Sequence, residues 1–141
     1  MSARFYARKV FHTAMLVVSA LSLSVVLGAC GKDDSGAKKA AKWLKKDSQY
    51  NPPNGEWITT SVHLDKNGRI VMDVLVPIKE QVMLIKTRTR IEQARIVMLA
   101  CPPKNSEFWG MIEKDRELWV NLTARTDTSM DTTLQGATCR H

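Results

Sequence analysis

Histidine and cysteine are scarce in this chain of 141 residues, three of each, and the settings that would make them chemically useful are missing. No cysteines form a CxxC pair, and no Cys/His cluster has the spacing of metal ligands, so neither a metal site nor a dithiol redox pair is expected. A Gly-rich phosphate loop and a nucleophile elbow are also absent. Downstream of residue 29, acid–base chemistry would have to use His63, on the solvent side of an expected strand, or His141, the last residue. The acids Asp65, Asp73, Glu113, Asp115 and Glu117 show no pairing suited to proton transfer. The chain therefore reads as a non-enzyme: no catalytic residues, no metal, no cofactor and no small-molecule substrate. A long hydrophobic run is missing as well. The apolar and small-residue segment Ala14–Leu27 falls short of the roughly 20 residues that span a bilayer.

What that short run does have is context. Arg4, Arg8 and Lys9 precede it and Gly28-Ala29 follow it, the layout of an export signal over residues 1–29. Leu27-Gly28-Ala29-Cys30 resembles the lipobox of bacterial lipoproteins. That resemblance implies a diacylglyceryl group on the Cys30 sulfur, cleavage before Cys30 and acylation of the new amine. A plain secretory signal cut near Ala29 is the other reading. In lipoproteins, aspartate after the lipidated cysteine tends to mean inner-membrane retention; here the position is Gly31, which by resemblance points to the outer membrane, with the domain facing the periplasm. Three of the 21 basic residues and none of the 14 acidic ones leave with the signal, lowering the formal charge from +7 to +4. The remaining charge suits an anionic membrane or an acidic partner, and nucleic acid is not expected.

In an oxidising compartment Cys101 and Cys139 are an even pair, expected to form a disulfide. Two buried free thiols are the alternative. The bridge would close a loop of about 39 residues, worth roughly 3–4 kcal/mol in the chain-entropy model.

Residues 30–50 read as a lipidated cysteine followed by a Lys-rich tether. Ala37, Ala40, Ala41 and Leu44 recur at helical spacing, so a short helix near Ala37–Lys46 competes with a solvated spacer, the favoured reading. The folded domain is placed at residues 51–141. Trp57–Leu64 and Arg69–Val76 form a hairpin around Lys66-Asn67-Gly68, pairing Leu64 with Ile70 and Val62 with Met72. A helix is expected from about Lys79, most clearly from Arg88, to Ala100, with Ile91, Ala94, Met98 and Cys101 as its apolar stripe. Pro102-Pro103 ends it, and a short helix follows at about 106–113, capped by Asn105 or Ser106. Leu118, Val120, Leu122 and Ala124 form one face of a clear strand, and Thr132–Arg140 is the last. The order β-β-α-α-β-β predicts an α+β fold, a small antiparallel sheet with helices on one face and one disulfide. Met83, Met98, Met111 and Met130, with Trp109 and Trp119, suit either an adaptable apolar groove or an irregular small core.

This layout resembles the α/β-class pilotins of type II secretion, outer-membrane lipoproteins that escort secretin subunits. The shared features here are Cys30, the hairpin Trp57–Val76, the helix ending at Ala100-Cys101-Pro102-Pro103, the strand Leu118–Ala124 with Thr126-Asp127-Thr128, and Cys139. The resemblance implies a chaperone or binding module whose partner is the secretin C-terminal segment, folding as a helix on docking beside the main helix and the sheet. It assigns no individual partner-binding residues. An envelope lipoprotein that inhibits a hydrolase or serves conjugation is the alternative.

Overall fold

Two hairpins and a helical layer build the domain, and the connection between the hairpins decides the sheet. The computed structural model describes residues 34–125 and 131–141. The expected signal, Cys30, Gly31, the polar segment after Ala124 (except Arg125 and Asp131) and Met130 lie outside the described residues. The elements are α1 (Ser35–Tyr50), β1 (Ile58–Leu64), β2 (Ile70–Leu75), α2 (Lys79–Lys86), α3 (Arg90–Val97), α4 (Glu107–Gly110), β3 (Leu118–Arg125) and β4 (Asp131–Cys139). The α+β class, the two hairpins with helices between them and the disulfide are those expected, and α1 precedes them.

The sheet order is β1-β2-β3-β4. Both outer pairs are antiparallel, but the central β2–β3 pair is parallel, so the sheet is mixed rather than wholly antiparallel. The reason is the path between them. From Val76 the chain crosses the helical layer through α2, α3 and α4 before re-entering the sheet, the kind of crossover that parallel neighbours require.

The β1–β2 hairpin keeps the expected register from Leu64↔Ile70 to Ser61↔Asp73, and a bulge at Thr60 then shifts Thr59 onto Val74. Gly68 sits at φ +74°, and the Asp65 N–H donates to the Arg69 carbonyl at 2.9 Å. The Asp65 carboxylate accepts the N–H groups of Arg69 and Asn67 and faces the Arg69 guanidinium at 3.1 Å. The Arg69 backbone bond above all, with the Asn67 bond and the guanidinium, lowers its pKa below the usual carboxylate value.

The core lies between the helices and one face of the sheet. Ile70, Met72, Val74, Leu118, Val120 and Leu122 point into it, with Trp57, Val97 and Phe108. So do Ala37, Ala40, Ala41 and Leu44 of α1. The segment read as a solvated spacer is therefore a packed helix, and the folded domain includes α1 rather than beginning at residue 51. The physical reason is size: three alanines let the helix backbone lie close to its neighbours, and alanine and lysine are strong helix formers. Asp34, at the helix N-cap position, makes no capping bond with its side chain. Its carboxylate instead accepts from Arg116 Nη1 at 2.9 Å. Arg116, whose side chain is only 3% exposed, also donates to the Gly68 carbonyl at 2.5 Å and lies 3.5 Å from Glu113. One buried guanidinium thus ties the start of α1 to the hairpin turn and to the loop before β3.

The expected long helix is broken in two. Residues 79–86 are helical, and α3 restarts behind Thr89. The Glu92 N–H donates to Thr89 Oγ1, and the Thr89 N–H donates to the Glu92 carboxylate, a capping box. Gln93 Nε2 bridges the break, donating to the carbonyls of Ile85 and Arg88. The new start turns α3 so that Val97 is its buried residue, while Ile91 is 70% exposed and Met98 46%. Of the expected apolar stripe, Ile91 and Met98 face solvent, while Cys101 packs against the core. A short 3-10 turn, Met98–Ala100, follows, and Ser106 caps α4 by accepting from the Phe108 N–H, as expected.

Candidate functional site

Cys101 and Cys139 are joined by a disulfide with Cα atoms 5.7 Å apart. It fastens the end of the α3 segment to the last residue of β4. Beside it, α3 and β4 enclose an open, shallow groove of about 390 Å³, lined by Ile91, Ala94, Met98 and Ala137 with Arg90 and Arg95 at the rim. Met83 and Leu84 of α2 and Leu99 are exposed as well. The apolar floor is thus bordered by two cations, Arg90 and Arg95. The chemistry on offer is non-covalent: apolar contact flanked by positive charge.

The methionine and tryptophan set divides between surface and core. Met83 and Met98 are on the surface. Met111 packs against the core. Trp109 is buried, its ring edge-on to Phe108 with centroids 4.9 Å apart, and its Nε1–H donates to the Pro103 carbonyl at 3.0 Å. Trp119 belongs to the sheet face away from the helices. Its Nε1–H donates to Asn121 Oδ1, and the Arg69 guanidinium lies 5.0 Å from its ring centroid. A Cβ on Gly136 of β4 would stand 2.5 Å from the Trp119 ring, so this glycine exists to let the indole lie flat across its neighbour strand.

That open face also gathers a serine, a histidine and an aspartate that the sequence alone did not bring together. Ser61 Oγ donates to Asp73 Oδ2 at 2.5 Å and lies 3.3 Å from His63 Nδ1. Asp73 Oδ1 accepts from Asn121 Nδ2. The connectivity is His–Ser–Asp, with the serine hydroxyl donating to the carboxylate. A nucleophilic relay needs the histidine between serine and acid. Here the acid holds the serine proton instead, and the set works as a cross-strand hydrogen-bond chain linking β1, β2 and β3. His141 stacks edge-on to Trp109 at 5.7 Å.

Among the described residues no group of three or more His, Cys, Asp or Glu could hold a metal ion. Among them, too, no helix is long and apolar enough to cross a membrane. No protein-family model matches the chain, and neither a curated protein nor a solved structure matches it significantly.

The sequence offered Met98 for either a groove or the core and gave Ile91 and Ala94 only as a helix stripe, so the groove was not placed as a site. The available signal was Thr89-Arg90-Ile91-Glu92, a capping-box pattern that marks a helix start at residue 90.

Proposed function

We propose that this chain is a non-catalytic binding module of the bacterial envelope, anchored to the outer membrane through lipidated Cys30. In the manner of a pilotin, it escorts or anchors a secretin or another envelope-complex subunit. One observation carries the reading: between α3 and β4 an apolar groove is lined by Ile91, Ala94 and Met98, with Ile91 and Met98 exposed.

The occupant that fits is a short amphipathic segment that folds as a helix on docking. Its apolar residues, one helical turn apart, fill the groove, and its carboxylates meet Arg90 and Arg95. Fully burying two side chains of the size of Ile91 and Met98 supplies about 3–6 kcal/mol, and association entropy consumes much of that. Capture by the groove alone is therefore weak. A lipid on Cys30 compensates by confining domain and partner to one membrane, which raises their effective concentration.

Photo-crosslinking in native envelopes tests this, with a crosslinker in place of Met98 and, as control, of Lys66 on the distant hairpin turn. A secretin or other envelope-complex subunit recovered from position 98 and not from 66, and lost on Ile91→Glu, is the expected result. Envelopes from a host that has a secretin, yielding no such subunit, overturn the proposal. Recovery of a lysozyme-like hydrolase or a conjugation protein instead moves the chain to the inhibitor or conjugation class.

A further inference from the structure

We infer that the lysine face of α1 is a second interaction surface, lying against the anionic phospholipid headgroups of the bilayer that holds Cys30. The inference rests on the lipidation proposed above and adds to it an orientation for the domain.

Lys38, Lys39, Lys42, Lys45 and Lys46 are all exposed. At 100° per residue they fall within an arc of roughly 120°, opposite the buried row Ala37, Ala40, Ala41 and Leu44. No acid lies in that arc. Asp47, on its flank, accepts from Asn51 Nδ2 at 2.9 Å. Among the described residues no ion pair holds any of the five lysines. Packing of α1 is accounted for by its small apolar residues, and nothing in the core calls for five cations on the other side. Like charges gathered on one helix face repel one another, so the arrangement costs the free domain stability that an anionic surface would return.

Chain length supplies the second half of the argument. Only residues 31–33 separate Cys30 from Asp34, a covalent reach of at most about 14 Å in any conformation. The helix that follows is about 24 Å long and cannot peel away freely, because Arg116 holds its first turn through Asp34. A lipid on Cys30 therefore delivers a rigid cationic face, not a loose tail, to the headgroup layer. The attraction acts within a screening distance of about 8 Å at physiological salt, which lies inside the roughly 14 Å that the connection can span. Since α1 packs beside β1 and α3 beside β4, the groove lies at the other edge of the helical layer and stays open to a partner.

The test uses lipidated protein purified from membranes and incorporated into two kinds of vesicle. One is phosphatidylethanolamine with a quarter phosphatidylglycerol; the other replaces the phosphatidylglycerol with phosphatidylcholine. Lysine acetylation under limiting reagent is then quantified by mass spectrometry. In the anionic vesicles acetylation of Lys38, Lys39, Lys42, Lys45 and Lys46 is expected to slow about threefold or more, recovering in high salt. Lys66, Lys104 and Lys114 should label equally in both. A triple variant, Lys38→Glu, Lys42→Glu and Lys45→Glu, should lose the protection at Lys39 and Lys46 while folding normally, since all three sites are exposed. Lipidated protein with equal labelling of α1 in the two vesicles overturns the inference alone. An intact mass without the lipid increment overturns the lipidation, and the inference with it.

Discussion

Helices α1 and α3 each carry a stripe of apolar residues one turn apart, yet they meet the sheet in opposite ways. In α1 the stripe is Ala37, Ala40, Ala41 and Leu44, and all four are buried. In α3 it is Ile91 and Ala94, continued by Met98 of the following turn, and it lines an open groove. Side-chain size and helix phase account for the difference. Alanines let α1 settle close to the core, while the capping box at Thr89 sets the phase of α3 so that Val97 turns inward. A stripe on a helix thus reports that a face wants covering, not which molecule covers it.

The sharpest way to break this comparison is to place the same charge in both stripes. Ala40 is 0% exposed, so Ala40→Glu must either bury a carboxylate or push α1 off the sheet, and should cost about 4 kcal/mol or more. Ile91→Glu points into solvent and should change stability by no more than about 0.5 kcal/mol. Denaturant unfolding of the two variants decides it. Similar losses would mean that α3 is as much a core helix as α1, and the groove would lose its standing as a site.

Next in size is the disulfide, which serves the α3 side alone. Cys101→Ser or Cys139→Ser should lower stability by about 2–5 kcal/mol, with hydrogen exchange rising first in β4 and the Met98–Ala100 turn. Melting unchanged from the parent under non-reducing conditions would remove the bridge from the account. The counterpart on the α1 side is Arg116. Arg116→Ala leaves the Gly68 carbonyl and the Asp34 carboxylate without this donor. Because Asp34 is partly exposed to water, the loss should be nearer 2 kcal/mol. Faster amide exchange at Gly36 and Ala37, with β4 unaffected, would separate the two fastenings.

Those two regions also mark what could be read from the residues. Alternation placed Leu118, Val120 and Leu122 on the buried face of β3. Turn chemistry at Lys66-Asn67-Gly68 placed the hairpin register as far as Ser61, and the bulge at Thr60 had no local signal. The even cysteine pair gave the bridge. Strand direction at the centre of the sheet was not legible, because it depends on the path of the crossover and not on either strand. The burial of α1 was obscured by composition: six lysines among residues 32–46 outweighed four small or apolar residues at helical spacing. The groove was obscured by treating Lys79–Ala100 as one helix. A break of three residues changed the helix phase, and phase is what decides which side chains meet the sheet.

That break supplies the smallest expected effect and a direct probe of why α3 differs from α1. The start of α3 depends on the Glu92 carboxylate, which accepts from the Thr89 N–H at 2.9 Å and the Thr89 hydroxyl at 2.8 Å. The backbone bond from Thr89 above all holds its pKa below the usual glutamate value. A carboxylate with a lowered folded pKa contributes stability that is present above its unfolded value and lost as pH falls through the lowered one. On acidification the Thr89 amide resonance should therefore move with a midpoint below about 4.3, the ordinary glutamate value. Glu92→Gln, which can still accept at the cap, should abolish that titration while keeping the helix. A midpoint at or above the ordinary value would mean that Glu92 does not close the cap. The phase of α3, and with it the exposure of Ile91 and Met98, would then need another cause.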